Sequence, residues 1–124
     1  GRLGAFETEA AGPALARRLG AASAESVVEA ARRGDPAARQ AVNETIEWLA
    51  MGTANLVSAL DPEVVVLGGG LMQAGDLFLE PVRRAVRRWA QPIAVEQCRI
   101  ELSRLGEDAA LYGAARLAFL AAAP

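Results

Sequence analysis

The glycine run Gly68-Gly69-Gly70 is the part of this chain best suited to binding chemistry. It follows an Asp61-Pro62 turn and a short apolar run at residues 64–67. Glycines at the end of a strand permit a sharp turn and leave room for a ligand to lie against the backbone. A tight strand-to-helix turn without a ligand explains the same residues. The run lacks the Gly-x-Gly-x-x-Gly spacing of dinucleotide folds, and a chain without lysine has no phosphate-loop lysine.

Glu7 is the carboxylate that local structure explains least. Most other acidic residues fall in the first turns of predicted helices, where capping and the helix dipole account for them. Glu7 instead follows an aromatic residue in a short segment bounded by glycines. It is therefore either a charge at a helix start or a contact to a ligand. Because the chain contains no histidine, Ser-His and Cys-His nucleophile pairs are excluded.

Composition narrows the remaining classes of function. The 124 residues make at most one domain, 52% of them are hydrophobic, and the net charge is −2. A chain without a basic excess gives no support to nucleic-acid binding by this segment. Cys98 is the single cysteine, which excludes an internal disulfide, and the absence of histidine excludes a Cys/His metal site. With no apolar run of about 18 residues and no visible signal peptide, we predict a cytoplasmic protein that does not bind membranes.

Two predicted strands and a long helix must position these residues. The uninterrupted apolar run at 64–67 predicts a strand buried on both faces, as in a parallel sheet flanked by helices. Ser23 and Asp35-Pro36 mark the starts of two helices, the second of which reaches residue 60. Gly52 and Thr53 interrupt that helix, either to admit another backbone or as a minor kink. Its predicted core stripe consists of Val42, Ile46, Leu49, Ala50, Leu56, Val57 and Leu60.

The C-terminal half adds a helix, a second strand and a last helix. Residues 71–76 are predicted to be a loop or short turn, and residues 77–90 a helix whose arginines form a solvated face or bind an anion. Pro92 is expected to break that helix. Polar alternation at 99–102 predicts a strand at a sheet edge. The Ala-rich helix at 109–123 is expected to turn four residues inward, namely Leu111, Ala115, Ala118 and Phe119.

The order strand–helix–strand–helix is typical of an α/β protein. Two strands make an inadequate sheet on their own. The chain also begins at Gly1 without a methionine. We therefore expect a fragment that lacks an N-terminal part.

Four stretches, residues 1–7, 11–15, 52–70 and 103–115, together resemble one family, the ROK family (repressors, open reading frames and sugar kinases). The first is similar to the family pattern Cys-Gly-x-x-Gly-Cys-x-Glu, and the second to Ser-Gly-x-Ala-Leu. The third resembles Gly-x-Ala-Asn-Leu followed by Asp-Pro-Glu-x-Val-x-Leu-Gly-Gly. The fourth resembles Leu-Gly-x-Asp-Ala-x-Leu-x-Gly-Ala-Ala. The resemblance runs the length of the chain in the family's order and spacing.

The resemblance implies an α/β fold, part of an actin-like (ribonuclease-H-like) ATPase domain, helix-rich with two or more strands. Residues 1–124 would be the C-terminal part of a ROK-type sugar kinase domain, with the N-terminal domain absent. Glu7 would contact sugar hydroxyls, and Gly68, Gly69 and Gly70 would lie against the adenosine and phosphates of ATP. Kinases of the family transfer a phosphoryl group from Mg-ATP to a sugar, with an aspartate as base. That aspartate lies upstream in the family, so this chain alone is expected to be inactive.

One departure from the family pattern concerns metal. The zinc-ligand cysteine after the second glycine of the first stretch is Ala5 here. A site missing one thiolate would be weak or absent, so we predict no zinc and no other metal site.

Three functions remain open at this point. The first is an ATP-dependent kinase that phosphorylates a hexose, similar to a glucokinase. The second is the sugar-binding and dimerisation domain of a ROK-type transcriptional repressor, whose DNA-binding helices would lie elsewhere. The third is a stable core that associates through exposed helix faces. Sugar, ATP and a second copy of the chain are the expected partners.

Overall fold

The computed structural model of the protein describes residues 6–122, except for the side chain of Glu107. Two short 3-10 helices, Gly70–Ala74 and Gly106–Asp108, connect the larger elements. Those larger elements follow in the order α1 (Glu7–Ala10), α2 (Gly12–Leu19), α3 (Ala24–Arg32), α4 (Pro36–Leu60), β1 (Val64–Leu67), α5 (Gly75–Trp89), α6 (Pro92–Gln97), β2 (Arg99–Leu102) and α7 (Ala109–Ala122).

Side-chain caps begin two of the helices at the predicted residues. The Ser23 hydroxyl accepts a hydrogen bond from the Ser26 amide at 3.3 Å, which starts α3. The Asp35 carboxylate accepts one from the Ala38 amide at 2.7 Å, and Pro36 is the first residue of α4. Each cap satisfies an amide that has no partner inside the helix, so the sequence fixes both starts locally.

Helix α4 is the centre of the core, with α3 and α5 packed against it. The predicted stripe is confirmed for Val42, Ile46, Ala50 and Val57, which are buried. It is wrong for Leu56 and Leu60, which are 50% and 70% exposed because they lie on a side of α4 that no element within residues 6–122 covers. Gly52 and Thr53 do not interrupt the helix, which is continuous. The fully buried apolar partners of α4 in the core are Leu15, Val27, Phe78, Val82 and Val86.

Strands β1 and β2 form a parallel pair in which Val65 lies opposite Ile100. The strand at 64–67 is confirmed, but its burial on both faces is not. Val65 and Leu67 pack against the core, whereas Val64 and Val66 are 38% and 57% exposed. Within residues 6–122 no element covers the second face. The alternation predicted for β2 is confirmed in its first half, with Arg99 exposed and Ile100 buried, whereas Glu101 and Leu102 are both half-buried.

The break at Pro92 is confirmed, because α5 ends at Trp89. A short helix that was not predicted follows, since the Gln91 side chain accepts a hydrogen bond from the Ala94 amide at 2.7 Å and starts α6 at Pro92. The expectation for α7 is wrong. Helix α7 turns none of its residues into the core described here. Of the four residues expected to face inward, Leu111 and Phe119 are 69% and 74% exposed, and Ala115 and Ala118 are exposed too. No helix within residues 6–122 is both long enough and apolar enough to cross a membrane.

Candidate functional site

A groove of about 820 Å³ runs between the segment that begins at Phe6 and the end of β1. Both groups of residues singled out in the sequence line it, namely Glu7 and the run Gly68, Gly69 and Gly70. The remaining lining comes from Phe6, from the turn between α1 and α2, from residues 22–25, and from Leu49, Leu71 and Met72. The fold therefore brings together two features that are far apart in the chain.

The glycine run forms an exposed turn between β1 and the first 3-10 helix. Ser103, just after β2, donates its amide to the Leu67 carbonyl at 2.8 Å and so fixes the point where the run begins. Gly69 has a φ of +89°, a backbone conformation that residues other than glycine rarely adopt. A Cβ at Gly69 or Gly70 would meet no atom within 4 Å. Bare backbone therefore faces open space at this edge of the groove.

Glu7 is the first residue of the four-residue helix α1. Its side chain is exposed on the groove, where both carboxylate oxygens are open to hydrogen-bond donors. The ring of Phe6, the preceding residue, lies against Gly52 of α4. Arg17 and Arg18 donate to the carbonyls of Thr8 and Glu9, respectively, and tie α1 to α2. Sequence reasoning missed both arginines, because their partners are nine residues away and obey no local pattern.

Glu25 is a second carboxylate on the groove that sequence reasoning missed. Its own helix accounts for it. A hydrogen bond from Ser23 and one from its own backbone amide lower the pKa of the Glu25 carboxyl. It is therefore an acid in the first turn of α3, where a negative charge is favourable.

Behind the glycine turn, an ion pair joins α3 to the start of α5. Arg32 approaches the Asp76 carboxylate with Nη2 at 2.8 Å from Oδ1 and with Nε at 3.3 Å from Oδ2. The Arg32 guanidinium holds the pKa of the Asp76 carboxyl below its usual value. The pair links the segment after the glycines to the helix whose first residues line the groove. The predicted loop at 71–76 is thus a 3-10 turn followed by the anchored start of α5.

A groove lined by a carboxylate and by exposed backbone can bind a polyhydroxylated ligand at the carboxylate and an anionic ligand at the backbone. Among the described residues, no group of three His, Cys, Asp or Glu side chains could hold a metal ion. Ala5, on which the prediction about zinc depends, lies outside the described residues.

A protein-family model, that of the ROK family, matches residues 1–120. The chain belongs to the ROK family. Its curated ROK relatives include a glucokinase of Streptomyces coelicolor, 39% identical over 94 residues that cover 72% of this chain and 28% of the enzyme. They also include a xylose repressor of Caldicellulosiruptor bescii, 32% identical over 87 residues that cover 70% of this chain and 22% of the repressor.

The structural comparison supports the same assignment. A ROK family glucokinase of Streptomyces griseus, solved in complex with glucose and AMPPNP, superimposes with a TM-score of 0.81 and 30% identity. The match covers 94% of this chain and 45% of that enzyme. The predicted family and the predicted fold, part of an actin-like ATPase domain, are confirmed. The chain spans between 22% and 45% of the length of these ROK relatives. The roles given to Glu7 and the three glycines stay predictions.

Proposed function

We propose that these residues form the C-terminal part of an ATP-dependent sugar kinase that phosphorylates a hexose. The observation that carries the proposal is that Glu7 and the Gly68–Gly70 turn line the same groove. A kinase needs a sugar and a nucleotide held next to each other so that a phosphoryl group can pass between them. The carboxylate and the glycine turn have the chemistry for one ligand each.

Glu7 is assigned to the sugar. An ionised carboxylate has two oxygens that accept hydrogen bonds, and neighbouring hydroxyls of a hexose can donate to both. The Gly68–Gly70 turn is assigned to ATP. Its backbone at Gly69 and Gly70 can approach the adenosine and phosphates because no side chain of the described residues stands in the way there. We expect Mg²⁺ to enter with the nucleotide phosphates, since the described residues contain no cluster of ligands for it.

The proposed reaction needs residues beyond these 124. In the reaction, the sugar hydroxyl attacks the γ-phosphorus of ATP, loses its proton to a base and releases ADP. Among residues 6–122, the ionisable side chains that line the groove are Glu7 and Glu25, and neither is assigned as that base. We therefore propose that a preceding part of the protein supplies the base and the second wall of the cleft. The chain alone is expected to be inactive.

The second candidate is the sugar-binding and dimerisation domain of a ROK-type repressor, favoured by the match to the xylose repressor. Glu7 would keep its role, and the glycine turn would be structural. The exposed backbone at Gly69 and Gly70 favours the kinase, because a turn without a ligand does not need open space in front of it. In either case, we propose a homodimer in the cytoplasm that binds no metal besides nucleotide-bound Mg²⁺.

The deciding experiment uses the complete protein to which these residues belong. Glucose is titrated by calorimetry with and without AMPPNP, and ADP release is followed with glucose and Mg-ATP. The kinase predicts glucose-dependent ADP release and a glucose affinity that changes when AMPPNP is present. Sugar binding without ADP release and without any effect of AMPPNP would favour the repressor. A protein that does neither would contradict both.

A further inference from the structure

Helix α1 carries Glu7 but cannot hold itself in place. It has four residues, Glu7–Ala10, far fewer than an isolated helix needs to be stable. Its last carbonyls have no partners within the helix, and no side chain caps its first turn. The position of Glu7 therefore depends on contacts with other elements.

Two arginines at the end of α2 supply those contacts. Arg17 Nη2 donates to the Thr8 carbonyl at 2.5 Å, and Arg18 Nη1 donates to the Glu9 carbonyl at 2.8 Å. Arg18 Nη2 also donates to the Glu9 carboxylate at 2.7 Å. Cationic donors suit these carbonyls because the C-terminal end of a helix is partly negative.

Arg18 differs from Arg17 in connecting α1 to the core. Its Nη1 also donates to the Thr45 hydroxyl at 3.0 Å, and its Nε lies 3.5 Å from a carboxylate oxygen of Glu44. Thr45 is fully buried in α4, and the side chain of Arg18 is 13% exposed. One planar guanidinium thus joins the helix that carries Glu7 to the central helix of the fold. Because a guanidinium presents its donors in a fixed planar arrangement, it sets the direction of α1 as well as its distance.

We propose that Arg18 is a positioning residue, which holds the Glu7 carboxylate at the place and angle needed to accept hydrogen bonds from the sugar. This inference rests on the proposed function. Arg18 does not line the groove and acts only through α1. Its loss lowers the affinity for sugar and spares the nucleotide side, because the Gly68–Gly70 turn belongs to a different element and is fixed by β2.

The test replaces Arg18 in the complete protein and measures the KM for glucose and for ATP separately. Arg18→Met keeps the aliphatic bulk and removes every donor, and should raise the glucose KM at least tenfold while the ATP KM changes less than twofold. Arg18→Lys retains the charge, and its glucose KM should lie between that of the unsubstituted protein and that of Arg18→Met. Arg83→Met is the matched control, because Arg83 also donates to one carbonyl and one carboxylate, those of Ile100 and Glu80, but holds α5 to β2. It should leave the glucose KM within twofold.

A second pair of variants keeps the inference testable if Arg18→Met does not fold. Thr45→Val removes the hydroxyl that accepts a hydrogen bond from Arg18, and it should raise the glucose KM about threefold to fivefold. Thr45→Ser retains the hydroxyl and should leave the glucose KM unchanged. A folded Arg18→Met protein with an unchanged glucose KM, or equal changes in the glucose and ATP KM values, would overturn the positioning role alone. So would a Thr45→Val protein that behaves like Thr45→Ser. An unsubstituted protein without sugar-dependent turnover would overturn the proposed function as well.

Discussion

The ring of Phe6 occupies the space beside Gly52 so closely that a methyl group at position 52 would overlap it. This contact sets the first residues of α1 against the middle of α4, while Arg18 holds its last residues. Glu7 lies between the two attachments. Phe6, Arg18 and Gly52, which are far from one another in the sequence, therefore fix the position of Glu7, the residue proposed to bind the sugar.

Gly52→Ala should separate binding from stability. Alanine in a helix interior is favoured over glycine by about 0.5–1 kcal/mol, so the free energy of unfolding should hold or rise slightly. The half-exposed Phe6 ring must move, and we expect the glucose KM to rise at least threefold. Kinetics and urea unfolding of the complete protein measure the two effects. In a Phe6→Ala background, Gly52→Ala should leave the KM unchanged, and a further rise there would contradict the account.

Gly70→Ala should report directly on the nucleotide. Its φ is not left-handed and a Cβ there meets no atom within 4 Å, so the protein without ligand should tolerate alanine. A nucleotide against this backbone would collide with the methyl group, which predicts an ATP KM at least tenfold higher and an unchanged melting temperature. Gly69→Ala is the contrasting variant, because its φ of +89° should cost about 1–2 kcal/mol of stability with or without nucleotide. An unchanged ATP KM in Gly70→Ala would remove the glycine turn from the ATP site.

The structure explains why the sequence predicted some elements and failed on others. The starts of α3 and α4 depend on Ser23 and Asp35 and on amides three residues away, so local patterns predict them. The inward side of α7 was predicted wrongly because burial depends on what packs against a helix. Its own composition, apolar all round, contains no record of a partner. The predicted burial of β1 on both faces was wrong for the same reason, since its apolar Val66 lies on a face that nothing within residues 6–122 covers.

The candidate site was predicted only in part. Glycines after a strand and a carboxylate beside an aromatic residue are visible in sequence, and the structure places both on one groove. The contact of Arg18 with Thr45 spans 27 residues and follows no helical or strand period. Such contacts come from how α1, α2 and α4 pack, and a single sequence carries no local signal for them.

Acid should weaken the contact between α4 and α5. Hydrogen bonds from Arg88 and Trp89 lower the pKa of the Glu47 carboxyl below its ordinary value of 4.5. Because the folded pKa is the lower one, the stabilisation is complete above about pH 4.5 and is lost as the pH falls through the folded pKa. The side chains of Arg88 and Glu47 are about half exposed, so the loss in the free energy of unfolding should not exceed about 1 kcal/mol.

Urea unfolding of the complete protein at pH 6 and pH 3, followed by tryptophan fluorescence, measures this loss. Glu47→Gln should lose less stability between the two pH values than the unsubstituted protein. Glu96→Gln is the control, since Glu96 forms no ion pair within residues 6–122. An acid dependence that is the same in Glu47→Gln and in the unsubstituted protein would contradict the assignment.

Chelation should leave sugar binding intact. Residue 5 is alanine and the chain has no histidine, so α1 is expected to depend on protein contacts and not on zinc. Dialysis of the complete protein against EDTA, followed by glucose titration without nucleotide, should give the same dissociation constant within twofold. A tenfold weakening that added zinc reverses would show that a metal holds this segment.

The most direct test of the proposed groove compares its two carboxylates. Glucose is titrated by calorimetry into the complete protein, unsubstituted and with Glu7→Gln or Glu25→Gln. A hydrogen bond to a charged group contributes about 1.5–3 kcal/mol, so Glu7→Gln should weaken glucose binding tenfold or more. Glu25→Gln should change it less than twofold, because Ser23 and the start of α3 account for that charge. Full glucose affinity in Glu7→Gln would contradict the assignment of this groove to the sugar.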